Sequence, residues 1–171
     1  MPMPDSLTRL VALMSPPERA ASTDWDEMAR TWGTRFPADF RGFIDTYGPG
    51  TICGFLFVGR CFGPPSLEDC IDVEAGDRPF PEPGGLLAWG GTVTGDACYF
   101  KTAENPEDWR VVIWRRHHAF TEPTSREYPY GLVELLLRIF DAELPRQPFS
   151  GDDLWGRQHS PTFEPDELFP R

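Results

Sequence analysis

Lysine is almost missing from this sequence: Lys101 stands alone, and arginine supplies the rest of the positive charge. Sixteen basic residues face 27 acidic ones, which leaves a net charge of −11 and a pI near 4.6. No Lys/Arg-rich stripe is available to neutralise a phosphate backbone, which argues against general nucleic-acid binding. Long apolar runs are missing too. None approaches the roughly 20 residues that a membrane-spanning helix needs. Met1-Pro2-Met3-Pro4-Asp5 has neither the basic nor the apolar region of a signal peptide. A cytoplasmic protein is therefore expected, with no membrane partner. Cysteine is scarce, and in a reducing compartment Cys53, Cys61, Cys70 and Cys98 are expected to be free thiols.

The residues that carry chemistry are just as thinly spread. His117 and His118 are neighbours, and on a strand their rings point to opposite faces, so one metal cannot take both. Cys61 and Cys70 are too far apart for a Cys-x-x-Cys knuckle, and His-Glu-x-x-His does not occur. Cys53 and Cys98 fall inside predicted strands and read as small core hydrophobes. No cysteine has a visible thiolate-stabilising setting. Gly90-Gly91-Thr92-Val93-Thr94-Gly95 lacks the Gly-Lys-Ser/Thr ending of a phosphate loop, and Asp96 follows it. The expectation is no metal, no cofactor and no enzymatic activity; a small cysteine-dependent enzyme is the alternative of a different class.

What the sequence does have is turns and aromatic bulk. Its 19 prolines and 16 glycines argue against a helical bundle, and 13 phenylalanines with six tryptophans suffice for a real core. A chain of 171 residues buries about two thirds of its unfolded surface and suits one domain with trimmings. Three amphipathic helices are predicted first. Their stripes are Leu7, Leu10, Val11 and Met14; Trp25, Met28, Ala29 and Trp32; and Phe40, Phe43, Ile44 and Tyr47. Asp24 and Glu27 form a potential capping box, Gly33 and Gly48 stop the second and third helices, and Pro37 starts the third.

Strand signals follow. Thr51–Val58 is predicted as one strand interrupted by Gly54, and Leu86–Trp89 pairs through Thr94-Gly95-Asp96 with Ala97–Lys101. Arg110–Arg116 suits a central strand, with weaker candidates at Cys70–Val73 and His118–Thr121. Residues 131–143 form a broad apolar helix with Glu134 and Arg138 on its wet side, a pair worth a few tenths of a kcal/mol. The predicted fold is α+β, with N-terminal helices and a C-terminal helix on a mixed, mostly antiparallel sheet. Residues 1–19 would form a helical extension, 20–144 the domain, and 145–171 a Pro-rich acidic tail, loosely docked or disordered.

Residues 25–57, WDEMARTWGTRFPADFRGFIDTYGPGTICGFLF, resemble the opening of the SUKH superfamily of bacterial immunity proteins and adaptors. The resemblance rests on Phe36-Pro37-Ala38-Asp39-Phe40 before a helix and Tyr47-Gly48-Pro49-Gly50 before the first strand. Thr94-Gly95-Asp96 and Asn105-Pro106-Glu107-Asp108-Trp109 before Arg110-Val111-Val112-Ile113 extend it, and it spans about residues 20 to 144. It implies an α+β fold without a known catalytic site. It also implies protein binding, often as an immunity protein that neutralises a cognate toxin, frequently a nuclease. Other members are adaptors, including a regulator of fungal cell-wall synthesis.

Two acidic clusters bear on the partner. Glu68, Asp69, Asp72, Glu74, Asp77 and Glu82 surround a single base, Arg78, and Glu104, Glu107 and Asp108 form a second group. Neither has the ligand spacing of a calcium loop. They are either ordinary solvated loops or a docking surface for a basic protein, to which a −11 chain is steered by its field. A basic toxin domain is the partner that both charge and resemblance suggest.

Overall fold

The computed structural model describes residues 5–19, 22–59, 78–157 and 160–166. Four helices run from Asp5 to Leu13 (α1), Trp25 to Trp32 (α2), Ala38 to Tyr47 (α3) and Leu132 to Phe140 (α4). Each begins where the sequence offers a cap or a break. Asp24 accepts a hydrogen bond from the Glu27 amide at 2.9 Å and starts α2, and Gly33 ends it at φ 69°. The reciprocal half of the box does not form, because the Glu27 carboxylate pairs with Arg30 one turn on. Pro37 occupies the position just before α3. Gly48 takes a positive φ of 73°, but with an extended ψ that turns the chain directly into the sheet.

The strands are Gly50–Ile52 (β1), Leu56–Val58 (β2), Leu86–Thr92 (β3), Ala97–Lys101 (β4), Arg110–Trp114 (β5), Ser125–Tyr128 (β6) and Phe163–Pro165 (β7). Their order across the sheet is β6-β5-β4-β3-β2-β1-β7, and every pairing is antiparallel. The parallel element reduces to an isolated bridge between Pro79 and Leu86. The architecture is α+β, with α1, α3 and α4 on one face of the sheet. Leu87, Trp89, Cys98, Phe100, Val111 and Ile113 point to that face at alternate positions, and meet Leu10, Phe40, Phe43 and Leu136 there. Leu86, Ala88, Tyr99 and Val112 occupy the opposite face, with Trp114 against them.

Four sequence expectations change. Thr51–Val58 is a hairpin, not one strand: Cys53, Gly54 and Phe55 connect β1 to β2, with Cys53 (φ 52°) and Gly54 (φ 63°) both at positive φ and the Phe55 amide bonded to the Ile52 carbonyl at 2.9 Å. Cys53 is therefore a half-buried turn residue, whereas Cys98 is fully buried in β4 as expected. His118–Thr121 is a turn, with the Glu122 amide bonded to the Ala119 carbonyl, and the edge strand lies further on at β6. The described stretch after Pro145, expected to be loosely docked or disordered, packs into the core in part, while Asp152, Asp153, Ser160 and Thr162 stay exposed. Phe149 and Leu154 are each 2% exposed, and β7 pairs with β1. A glycine makes that pairing possible: a Cβ on Gly50 would lie 2.4 Å from both the Glu164 carbonyl and the Phe163 ring. The candidate strand at Cys70–Val73 lies outside the described residues.

Carboxylates from distant loops finish the helix ends. Asp39, in the first turn of α3, accepts from the Val133 amide at 3.1 and 3.2 Å and so caps α4. Glu107 accepts from the Ala38 amide at 2.9 Å and does the same for α3. The Tyr47 hydroxyl donates to the Met14 carbonyl at 2.6 Å and ties α3 to the end of α1; burial pushes it up to about 12.

Burial also raises the Asp39 carboxyl above its ordinary 3.8, against the lowering effect of the α4 amides. A carboxyl with a raised folded pKa binds more protons folded than unfolded, so its contribution to stability falls as pH rises from about 3.8 through the folded value. Asp39→Asn should abolish that slope in urea melts between pH 3.5 and 6 and retain an acceptor for Val133. Asp39→Ala should cost about 1–2 kcal/mol at neutral pH through the lost cap. A pH slope surviving unchanged in Asp39→Asn would assign it to another group.

Candidate protein-interaction surface

Strand register brings the described members of the two acidic clusters to one end of the sheet. Leu86 pairs with Lys101, and Lys101 with Arg110, so the turn before β3 and the loop between β4 and β5 emerge together. Thr102 joins them, its amide and hydroxyl donating to the Gly85 carbonyl at 2.9 and 2.8 Å. Glu82 sits in the first turn, and Glu104, Glu107 and Asp108 in the second. Of the earlier cluster, Glu68, Asp69, Asp72, Glu74 and Asp77 lie outside the described residues.

These four acids differ in what they are free to do. Glu107 caps α3, and Glu82 pairs with Arg78 at 3.4 Å. Glu104 and Asp108 are exposed, and neither carboxylate has a partner among the described residues. Two nearby cations on the strands, Lys101 and Arg110, already have a partner. Glu127 takes both Lys101 at 2.8 Å and Arg110 at 3.2 Å, and the Lys101 hydrogen bond above all holds its carboxyl below the usual range.

Helix α2 adds what the sequence reading did not pick out. No residue of α2 is fully buried, so the helix lies at the rim of the core with its polar side outward. Asp26 and Arg30 from that side, with Arg35 and Glu104, line a shallow open depression between α2 and the β4–β5 loop. Asp26 was within reach of sequence reasoning, since the stripe of Trp25, Met28, Ala29 and Trp32 leaves it on the wet face. Its proximity to Glu104, 78 positions away, was not.

The motifs that carry the family resemblance place residues in the core. Phe36 and Phe40 are buried, and Phe36 meets Trp109 edge-on with ring centroids 5.9 Å apart. The Trp109 indole donates to the Ala103 carbonyl at 2.9 Å and shapes the acidic loop from beneath. A family model described as SMI1-KNR4 cell-wall, SUKH_6, matches residues 22–128.

The chain belongs to the SUKH superfamily.

No curated protein and no solved structure matches it. At family level a SUKH domain is a protein-interaction module. The match takes in α2, α3 and β1 through β6, so both walls of the depression lie within the SUKH domain, while α1, α4 and β7 are outside the match. Among the described residues no group of three His, Cys, Asp or Glu side chains could hold a metal ion, and no helix is long and apolar enough to cross a membrane. His117 approaches Ser150 only through its backbone, whose amide donates to the Ser150 hydroxyl at 3.2 Å.

Proposed function

We propose that this SUKH domain is an immunity protein, which neutralises a cognate bacterial toxin in the cytoplasm by stoichiometric binding, without catalysis or a cofactor. The observation that carries the reading is the exposed acidic end in a chain of net charge −11, displayed by a fold whose family binds proteins. Asp26, Glu104 and Asp108 are the described residues assigned to the contact, and a basic protein is the partner they suit. A nuclease fits that description, since its substrate groove must carry positive charge to hold phosphates. Unpaired carboxylates around such a groove would speed encounter and repel acidic competitors.

The test is a pull-down from the host with the tagged protein at low salt. A single basic toxin-domain protein at about one-to-one, released as salt rises, is the expected result. The variant carrying Asp26→Lys, Glu104→Lys and Asp108→Lys should then bind the purified toxin on the order of 100-fold more weakly. Glu107 is left alone because its loss would uncap α3. A varied set of housekeeping proteins, or none, would move the reading to a regulatory adaptor of the same fold. Unchanged affinity in the triple variant would remove the contact from this end.

A further inference from the structure

The far end of the sheet has the opposite character. Leu56 pairs with Thr92, Ala97 with Trp114, and Trp114 with Ser125, so the β1–β2 turn, the β3–β4 turn and the loop 115–124 emerge together, away from the acidic loops. Val93 and Phe120 are the exposed large hydrophobic residues among those described, and both are here. Phe120 is 109% exposed, more open than in a reference peptide.

Its loop is nonetheless held firmly. The Arg115 amide bonds the Thr124 carbonyl at 2.7 Å and closes the stem. The Arg116 amide donates to Asp96 at 3.0 Å, and the His117 amide to the Ser150 hydroxyl. Arg116 extends across Gly95, where a Cβ would lie 2.6 Å from its Cδ, and this joins the Val93 turn to the loop. An aromatic residue left in water on a loop this tightly fixed is the arrangement of a binding anchor, because little ordering entropy remains to be lost on docking.

The charge around it is positive in an otherwise acidic chain. Residues 111–126 hold three arginines and one acid, Glu122. That carboxylate is shared by Arg146 at 2.8 Å, Arg115 at 3.4 Å and Arg126 at 3.8 Å, three cations on one anion. Arg116 is exposed and has no acidic partner among the described residues. Asp152 and Asp153 are exposed on the neighbouring segment rather than on the loop.

We infer that loop 115–124 is a second docking element, whose Phe120 enters an apolar pocket bordered by carboxylates on a partner protein. This partner has the opposite charge to the one assigned to the acidic end, and the inference does not depend on the toxin reading. A protein is favoured over a lipid surface because a chain of −11 is repelled by anionic bilayers and a lone aromatic offers little area to insert.

The experiment replaces Phe120 with the photocrosslinker p-benzoylphenylalanine in the full chain and irradiates the host cells. The captured protein is purified, and its affinity for wild type, Phe120→Ala and Arg116→Glu is measured. Expected are capture of this partner with the photocrosslinker at position 120 but not at position 104, about 30-fold weaker binding for Phe120→Ala, and a smaller, salt-sensitive loss for Arg116→Glu. The melting temperature of Phe120→Ala should match wild type, since the ring touches nothing it would destabilise. Wild-type affinity in Phe120→Ala, or no protein captured at position 120, would overturn the proposal. So would Phe120-dependent flotation with vesicles of equal phosphatidylglycerol and phosphatidylcholine, which would assign the loop to a membrane.

Discussion

Phe40→Ala is expected to lower the free energy of unfolding by about 4 kcal/mol, the range for deleting a fully buried phenyl ring. Phe40 is 0% exposed and lies where three elements meet. Its ring is edge-on to Phe100 of β4 with centroids 5.1 Å apart, edge-on to Trp25 of α2 at 6.4 Å, and tilted against Phe36 at 5.9 Å. Aromatic geometry contributes about 0.5–1.5 kcal/mol per pair, so the three ring contacts add to the loss from burial and the cavity left behind. Domains of this size are stable by about 5–15 kcal/mol in total, and the melting temperature should fall by on the order of 12 °C. Phe40→Leu fills most of the space and should cost under half as much. Trp25→Ala is the control: its ring is only half-buried and its indole donates outward to Asp45 at 2.7 Å, so its loss should be clearly smaller. Equal losses at positions 25 and 40 in urea melts would mean that α2 is part of the core and not its rim.

The same residue shows why the sequence was readable. Phe36-Pro37-Ala38-Asp39-Phe40 announces a helix start because Pro37 cannot sit inside a helix and the aromatics fall on one stripe. Short-range rules of that kind found all four described helices and the β3–β4 hairpin, whose Gly95 takes φ 90°. They failed where the deciding partner is remote. The β1–β2 turn places Cys53 at positive φ, a region non-glycine residues seldom enter, so nothing local marked it. Strand β6 contains Ser125, Arg126 and Glu127, poor strand formers, and holds its place through pairing with β5 and the Glu127 ion pairs. Strand β7 contains Pro165, which an edge strand tolerates, and is fixed by Phe163 against Tyr47 and Phe43 at 5.1 and 6.1 Å. The candidate site divides in the same way. Glu104 and Asp108 were legible as charge, but the cap made by Glu107 and the approach of Asp26 depend on how the α2–α3 region meets the β4–β5 loop.

Charge follows a comparable division. A net charge of −11 describes the chain as a whole and hides its polarity. At the acidic end Glu127 answers Lys101 and Arg110, which leaves Glu104 and Asp108 uncompensated. At the other end three arginines surround Glu122. The two ends can therefore engage partners of opposite charge without sharing residues, and salt should weaken both contacts while charge reversal at one end should spare the other.

Asp96→Ala is expected to cost about 3 kcal/mol, and to do so through lost hydrogen bonds rather than lost packing. Asp96 is 3% exposed in the β3–β4 turn. Its carboxylate accepts from the amides of Arg116 at 3.0 Å and Ser150 at 2.7 Å, from the hydroxyls of Thr92 and Thr94 at 3.1 and 3.2 Å, and from the Ser150 hydroxyl. One side chain thus ties three chain segments, and alanine leaves two amides without their acceptor. Each such loss costs about 1–3 kcal/mol, reduced where water can replace the carboxylate. Asp96→Asn keeps one oxygen but turns an N–H group towards other donors, so about 2 kcal/mol is expected. Ser150→Ala should cost about 1 kcal/mol, and in combination with Asp96→Ala should add less than that, because the two share a bond. The decisive readout is local. Amide exchange in 115–124 and 149–154 should speed up in Asp96→Ala while α4 stays protected, since only the former hang from this carboxylate. Uniform acceleration across the chain would show that Asp96 acts on global stability alone, and the loop that presents Phe120 would then need another support.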